Sequence, residues 1–125
     1  MTKKIILVVD DEPYIIRTIQ KTLEKEGYEV VTASDGCEAL LKVKNMKPAL
    51  VLLDINMPGL SGIDTLRCIK ALDKNFPVIM VTAVRDEKEA KETIEAGAYD
   101  YITKPIDFEH LKSSVFSKIF LIRQA

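Results

Sequence analysis

Five short runs of apolar, β-branched residues recur along the chain, each followed by a longer stretch with helical spacing. The runs lie at 5–9, 28–32, 49–53, 77–82 and 99–103. The first, third and fourth are almost wholly apolar, as in strands buried on both faces of a parallel sheet. In the longer stretches apolar residues fall three and four apart, the spacing of a helix with one buried stripe. Ile15, Ile16, Ile19 and Leu23 mark the first helix, with Gly27 placed to end it. Ala39, Leu40, Val43 and Met46 mark the second, before Pro48. Ile63, Leu66, Ile69 and Leu72 mark the third. The fourth, about 86–96, alternates Lys88 and Lys91 with Glu87, Glu89, Glu92 and Glu95, a solvated face; only Ala90, Ile94 and a few small neighbours can face a core. The fifth, about 108–123, carries Leu111, Val115, Ile119 and Ile122 on one stripe. Strands alternating with helices predict an α/β fold, a parallel sheet with helices on both faces and right-handed crossovers. Ligands of such sheets bind at the carboxyl ends of the strands, where the strand order reverses.

The rest of the chain excludes several classes. Lys and Arg number 18 and Asp and Glu 19, for a net charge of −1. Neither that balance nor any local basic block favours direct nucleic-acid binding. The apolar runs are too short to span a bilayer. Lys3 and Lys4 before an apolar run imitate a signal peptide, but the run ends at once in Asp10-Asp11-Glu12, without a small-residue cleavage site. A cytoplasmic protein with no membrane partner is therefore expected. Cys37 and Cys68 lie far apart and lack metal-ligand spacing, so they are expected as packed thiols rather than a disulfide.

The strand ends carry the chemistry. The first run ends in Asp10-Asp11-Glu12-Pro13, the third in Asp54-Ile55-Asn56-Met57-Pro58-Gly59, the fourth in Thr82-Ala83 and the fifth in Lys104-Pro105. Singly, each also has a plain structural role. A carboxylate of Asp10 or Asp11 can cap the first helix, with Pro13 in its first turn. Asp54 can open a turn that Pro58-Gly59 completes. Thr82 can cap the next segment, and Lys104 can be a solvated lysine. An X-Pro bond is where cis peptides occur, and a cis Lys104–Pro105 bond would set the direction of the lysine stem. Together they are more specific. Like charges about 4 Å apart repel by roughly 4 kcal/mol at a near-surface dielectric. Lys104 offsets part of that repulsion, and a divalent cation offsets more. Oxygen-only ligands at an open edge suit Mg²⁺, with Mn²⁺ as a substitute, rather than zinc. Lys104 and Thr82 then stand as a cation and a hydroxyl donor for phosphoryl oxygens.

The set Asp10-Asp11, Asp54, Thr82-Ala83, Tyr101 and Lys104-Pro105 resembles the receiver domain of two-component response regulators, over essentially the whole chain. The resemblance implies a flavodoxin-like (βα)5 fold with strand order 2-1-3-4-5 and one receiver domain over 1–125. It implies that Asp54 is the nucleophile that takes a phosphoryl group from a phosphohistidine on a sensor histidine kinase or phosphotransfer protein. Asp11, Asp54 and the Asn56 carbonyl would ligate Mg²⁺ directly, with Asp10 ligating through water. Lys104 and Thr82 would contact the phosphoryl group. Thr82 would move toward the phosphate and Tyr101 would swing inward behind it, remodelling the face of the fourth helix, fifth strand and fifth helix. Through that face the domain would signal to an output domain, a downstream protein or a second copy. Taken alone, Tyr101 also reads as a strand tyrosine with its hydroxyl in water. Asn56 matches a common choice two residues after the acceptor. Val84, two after Thr82, departs from the polar residues often found there and is expected to alter phosphate lifetime, since an apolar side chain cannot orient water. Such a domain catalyses only its own phosphorylation and dephosphorylation.

Three rivals have specific marks. A phosphohydrolase of the haloacid dehalogenase type would carry two aspartates two apart after the first strand, and Asp10 and Asp11 are adjacent. A flavodoxin-like cofactor binder would need a phosphate-cradling loop there, where Asp10-Asp11-Glu12 would repel a phosphate. A degenerate receiver would have lost chemistry-bearing residues, all of which are present. On the last helix, Phe116 and Phe120 form an i, i+4 pair that fits either a wide core stripe or a partner surface. His110, the one histidine, is expected at the surface, away from the acceptor. No Gly or Pro stops this helix, so it is open to continuing into a longer parent protein, with any output domain expected beyond Ala125 or in another protein.

Overall fold

Because the first, third and fourth apolar runs must be covered on both faces, they belong at the centre of a sheet, and that is where they lie. The structure, a computed structural model, describes residues 3–124, with side chains described through Leu121. The elements run β1 (Ile5–Val9), α1 (Pro13–Lys25), β2 (Glu29–Ala33), α2 (Gly36–Met46), β3 (Leu50–Leu53), α3 (Gly62–Leu72), β4 (Val78–Thr82), α4 (Glu87–Glu95), β5 (Asp100–Thr103) and α5 (Phe108–Gln124). The five strands are parallel and ordered β2-β1-β3-β4-β5. The last four strands each begin one residue later than the apolar runs do. At Ala49 and Tyr99 the chain enters the ladder by single backbone bonds, to Ile5 O at 2.8 Å and Val78 O at 2.7 Å.

Alternation along the strands divides the core in two. Leu7, Val9, Val51, Leu53, Val78 and Met80 face α2 and α3, against Ala39, Val43, Leu66 and Ile69. Ile6, Val8, Leu50, Leu52, Ile79, Val81 and Ile102 face α1 and α5, against Ile19, Leu23, Leu111, Val115 and Ile119. Side chains cap most helix starts. Asp35 accepts from Glu38 N at 2.8 Å, Ser61 from Asp64 N at 3.2 Å, and Asp86 from Lys88 N at 2.9 Å. Asp107 serves Glu109 N and His110 N. At α1 the N-cap is Glu12, without a side-chain cap bond, and Pro13 supplies the preset first turn. Gly27 ends α1 at φ +93, a conformation that glycine reaches without strain.

Some sequence expectations need correction. On α4 the buried residue is Thr93, whose hydroxyl donates to Ala90 O at 2.8 Å, while Ile94 is exposed. A helix turned by one residue presents a small side chain inward. Met46 and Leu72, the last members of their stripes, are exposed because each ends its helix at the rim of the sheet. Cys37 and Cys68 are free thiols but exposed, not packed. Phe116 and Phe120 are exposed and stacked at 6.2 Å, outside the core stripe, and Ile122 lies outside the described side chains. His110 meets Asp100 at 3.4 Å, at the amino end of β5, the edge opposite the strand ends that carry the acidic residues. Among the described residues no helix is long and apolar enough to cross a membrane.

Candidate functional site

The strand order reverses between β1 and β3, since β2 lies to one side of β1 and every later strand to the other. The crevice at their carboxyl ends holds the acidic residues. Asp54 stays tied to the ladder through its N–H to Val9 O at 3.1 Å, and Asp10 through its N–H to Ala33 O at 3.2 Å. The next residues leave the sheet, so each carboxylate is set at the rim by a rigid strand. Asp10 and Asp54 are nonetheless buried, at 2% and 3% exposure, whereas Asp11 is exposed.

Burial of two neighbouring carboxylates is unfavourable unless something compensates. Lys104 compensates. Its backbone N–H donates to Thr82 O at 2.8 Å at the end of β4, and its side chain extends to the crevice. The ammonium donates to Asp10 Oδ2 at 2.7 Å and to Asp54 Oδ2 at 3.3 Å. The Lys104–Pro105 peptide is cis. Burial pushes the Asp10 carboxyl above the ordinary carboxylate range, against the opposing Lys104 and Glu12 N–H hydrogen bonds. Burial pulls Lys104 down, but its bond to Asp10 and the charges of Asp10, Asp54 and Glu12 leave it above the ordinary lysine value.

Glu12 enters the site unannounced by the sequence. Its Oε1 lies 3.3 Å from Lys104 Nζ, and its N–H donates to Asp10 Oδ1 at 2.9 Å. The available signal was its place between the aspartate pair and Pro13, where a helix start turns the side chain back over the crevice. One carboxylate oxygen each from Asp10, Asp11, Glu12 and Asp54 can be chosen so that all lie within 4.8 Å of one another. Such a hard, all-oxygen donor set fits Mg²⁺ or Mn²⁺. Asn56 is exposed, and its N–H reaches Asp54 Oδ1 at 3.4 Å.

Thr82 is fully buried, and its hydroxyl accepts from Val84 N at 3.3 Å, which leaves its own proton to donate. Val84 packs its side chain against the core on the α2–α3 side. Tyr101 is half-buried against the same core, and its hydroxyl donates to Val84 O at 2.6 Å rather than standing in water. Burial, then Glu89, Asp86 and Asp54, hold that hydroxyl above the usual tyrosine range. The site thus draws on the ends of β1, β3, β4 and β5. It presents a buried carboxylate beside an ammonium, a hydroxyl and a cation-compatible cluster.

The chain is similar to known proteins throughout. The family model described as response regulator receiver domain matches residues 6–116. The alkaline phosphatase synthesis transcriptional regulatory protein PhoP of Bacillus subtilis is 44% identical over 115 residues, covering 92% of this chain and 48% of that protein. The DNA-binding response regulator MtrA of Mycolicibacterium smegmatis is 38% identical, covering 91% of this chain and 50% of that protein. The chain therefore spans about half the length of these curated relatives. A CheY-like response regulator receiver domain protein of Methanospirillum hungatei superposes with a TM-score of 0.93 at 32% identity, covering 98% of each chain. CheY of Borrelia burgdorferi, solved with CheX, BeF3 and Mg, does so at 0.88 and 36% identity, covering 91% of this chain and 87% of that one.

Proposed function

This chain belongs to the response regulator receiver domain family, and from that premise we propose that Asp54 accepts a phosphoryl group from a phosphohistidine on a sensor histidine kinase or phosphotransfer protein. A carboxylate oxygen of Asp54 attacks phosphorus, the N–P bond breaks, and the imidazole leaves with the bonding electron pair. The observation that carries this reading is the Lys104 ammonium seated between Asp10 and Asp54 at the mouth of the crevice. There it lies 3.3 Å from Asp54 Oδ2 and stands where the phosphoryl oxygens arrive. Thr82 donates its free proton to one of those oxygens. Asp11, Asp54 and the Asn56 carbonyl would hold Mg²⁺ directly and Asp10 through water, with Mn²⁺ as a substitute. When bound, the cation neutralises the crowded carboxylates and the charge that builds on the transferring oxygens.

The phosphoryl group draws Thr82, and Tyr101 answers through its bond to Val84 O, biasing the face formed by α4, β5 and α5. That face signals to an output domain, a downstream protein or a second copy. Residues 1–125 act as one receiver domain, cytoplasmic, catalysing only its own phosphorylation and dephosphorylation. Asn56 and Val84 tune the lifetime of the phosphoryl group.

Incubation with Mg²⁺ and acetyl phosphate, read by intact mass, tests the reading. Wild type is expected to gain one hydroxylamine-labile phosphoryl group, and Asp54→Asn none; no gain in wild type across donors would overturn it. Followed in time, the same label is expected to decay at a different rate in Val84→Glu, and equal rates remove Val84 from the account.

A further inference from the structure

Between β4 and α4 stands Arg85, a residue the phosphoryl chemistry does not use. Its Nη2 donates to the carbonyl oxygen of Lys104 at 2.8 Å, a bond between residues 19 apart in sequence. The N–H of that same lysine donates to Thr82 O at 2.8 Å. Both main-chain polar groups of Lys104 are therefore held by the stretch of chain that begins at Thr82. Next to Arg85, Val84 accepts the Tyr101 hydroxyl. The two loops that present the lysine and the threonine are joined at their backbones.

A lysine is a compact charge on a flexible stem. Its ammonium sits 2.7 Å from one carboxylate and 3.3 Å from the other only while the backbone that carries it keeps its place. Small misplacements of such a group are costly in rate even where they are cheap in stability. Arg85 is exposed, so water can replace its bond at little cost to folding, whereas the direction that the bond imposes has no such substitute.

We propose that Arg85 is a positioning residue for the phosphorylation of Asp54: it acts through Lys104, whose carbonyl it pins to the β4–α4 segment. Lysine and threonine then meet the phosphoryl group as one unit. This rests on the phosphoacceptor reading above.

The test compares wild type, Arg85→Ala, Arg85→Lys, Lys104→Ala and the Arg85→Ala/Lys104→Ala double variant, each phosphorylated by acetyl phosphate with Mg²⁺. Arg85→Ala is expected to slow phosphorylation about fivefold, with Arg85→Lys restoring most of the rate. In the Lys104→Ala background the arginine change is expected to cost nothing more. An unchanged rate in Arg85→Ala, or the same loss with and without Lys104, overturns the proposal. A second readout needs no phosphoryl transfer. Amide hydrogen exchange at Lys104 in the unphosphorylated protein is expected to be several-fold faster in Arg85→Ala, and equal exchange overturns the positioning role. Absence of label in wild type would count against the phosphoacceptor reading alone, and the exchange rates would still decide for or against Arg85.

Discussion

At Asp10, burial and ion pairing oppose each other in one carboxyl. Burial favours the neutral acid, the bonds from Lys104 and Glu12 N–H favour the anion, and burial prevails. A carboxyl whose folded-state value is raised contributes stability that is fully present below its unfolded value and lost as pH rises through the folded value. At neutral pH the ionised Asp10 is therefore a cost. In metal-free buffer at pH 7, Asp10→Asn is expected to raise the melting temperature by about 3 °C. Wild type should narrow that gap as pH falls toward the carboxylate range. A lower melting temperature for the variant at pH 7 would mean that the Lys104 bond outweighs burial. Lys104 has the complementary dependence: its raised value gives stability that is complete below the ordinary lysine range and lost only as pH climbs past the folded value. These residues were legible as chemistry-bearing types at strand ends. Glu12 and the hydroxyl bond of Tyr101 were not, because both depend on side-chain directions across loops.

The helices were legible through their apolar stripes, which are local signals. The end of each stripe was not, because exposure there depends on how far the helix overhangs the sheet. One contact between elements bears directly on the site. Where α3 starts, Gly62 N–H donates to Ile55 O at 2.8 Å, and a Cβ on Gly62 would fall 2.0 Å from the carbonyl oxygen of Asp54. That obstacle is backbone, so it cannot swing aside. Gly62→Ala is expected to lower stability by about 2 kcal/mol, seen as an earlier urea midpoint at unchanged slope. On the proposed function the same change should slow phosphorylation, since the strand end that carries Asp54 must shift. Normal stability in this variant would show that α3 can retreat from β3 without loss.

For the whole molecule, cation binding at the cluster of Asp10, Asp11, Glu12 and Asp54 would be coupled to folding, because the donors come from two strand ends that meet only in the folded chain. Each tenfold rise in free Mg²⁺ above its dissociation constant is expected to add about 1.4 kcal/mol to unfolding free energy. Melting curves across a Mg²⁺ series check this, with Asp11→Asn expected to flatten the response. An Mg²⁺-independent melting temperature in wild type would remove the cation from the site. The alternation of strand and helix, the buried centre of the sheet and the residue types at each strand end can be read without coordinates, since these follow from local periodicity and from resemblance to the receiver family. That Lys104 sits between Asp10 and Asp54, that Glu12 joins them and that Arg85 holds the lysine's backbone emerges only from the folded arrangement. Those contacts join residues far apart in the chain, and no local preference carries the distance between two loops that meet only when the sheet has formed.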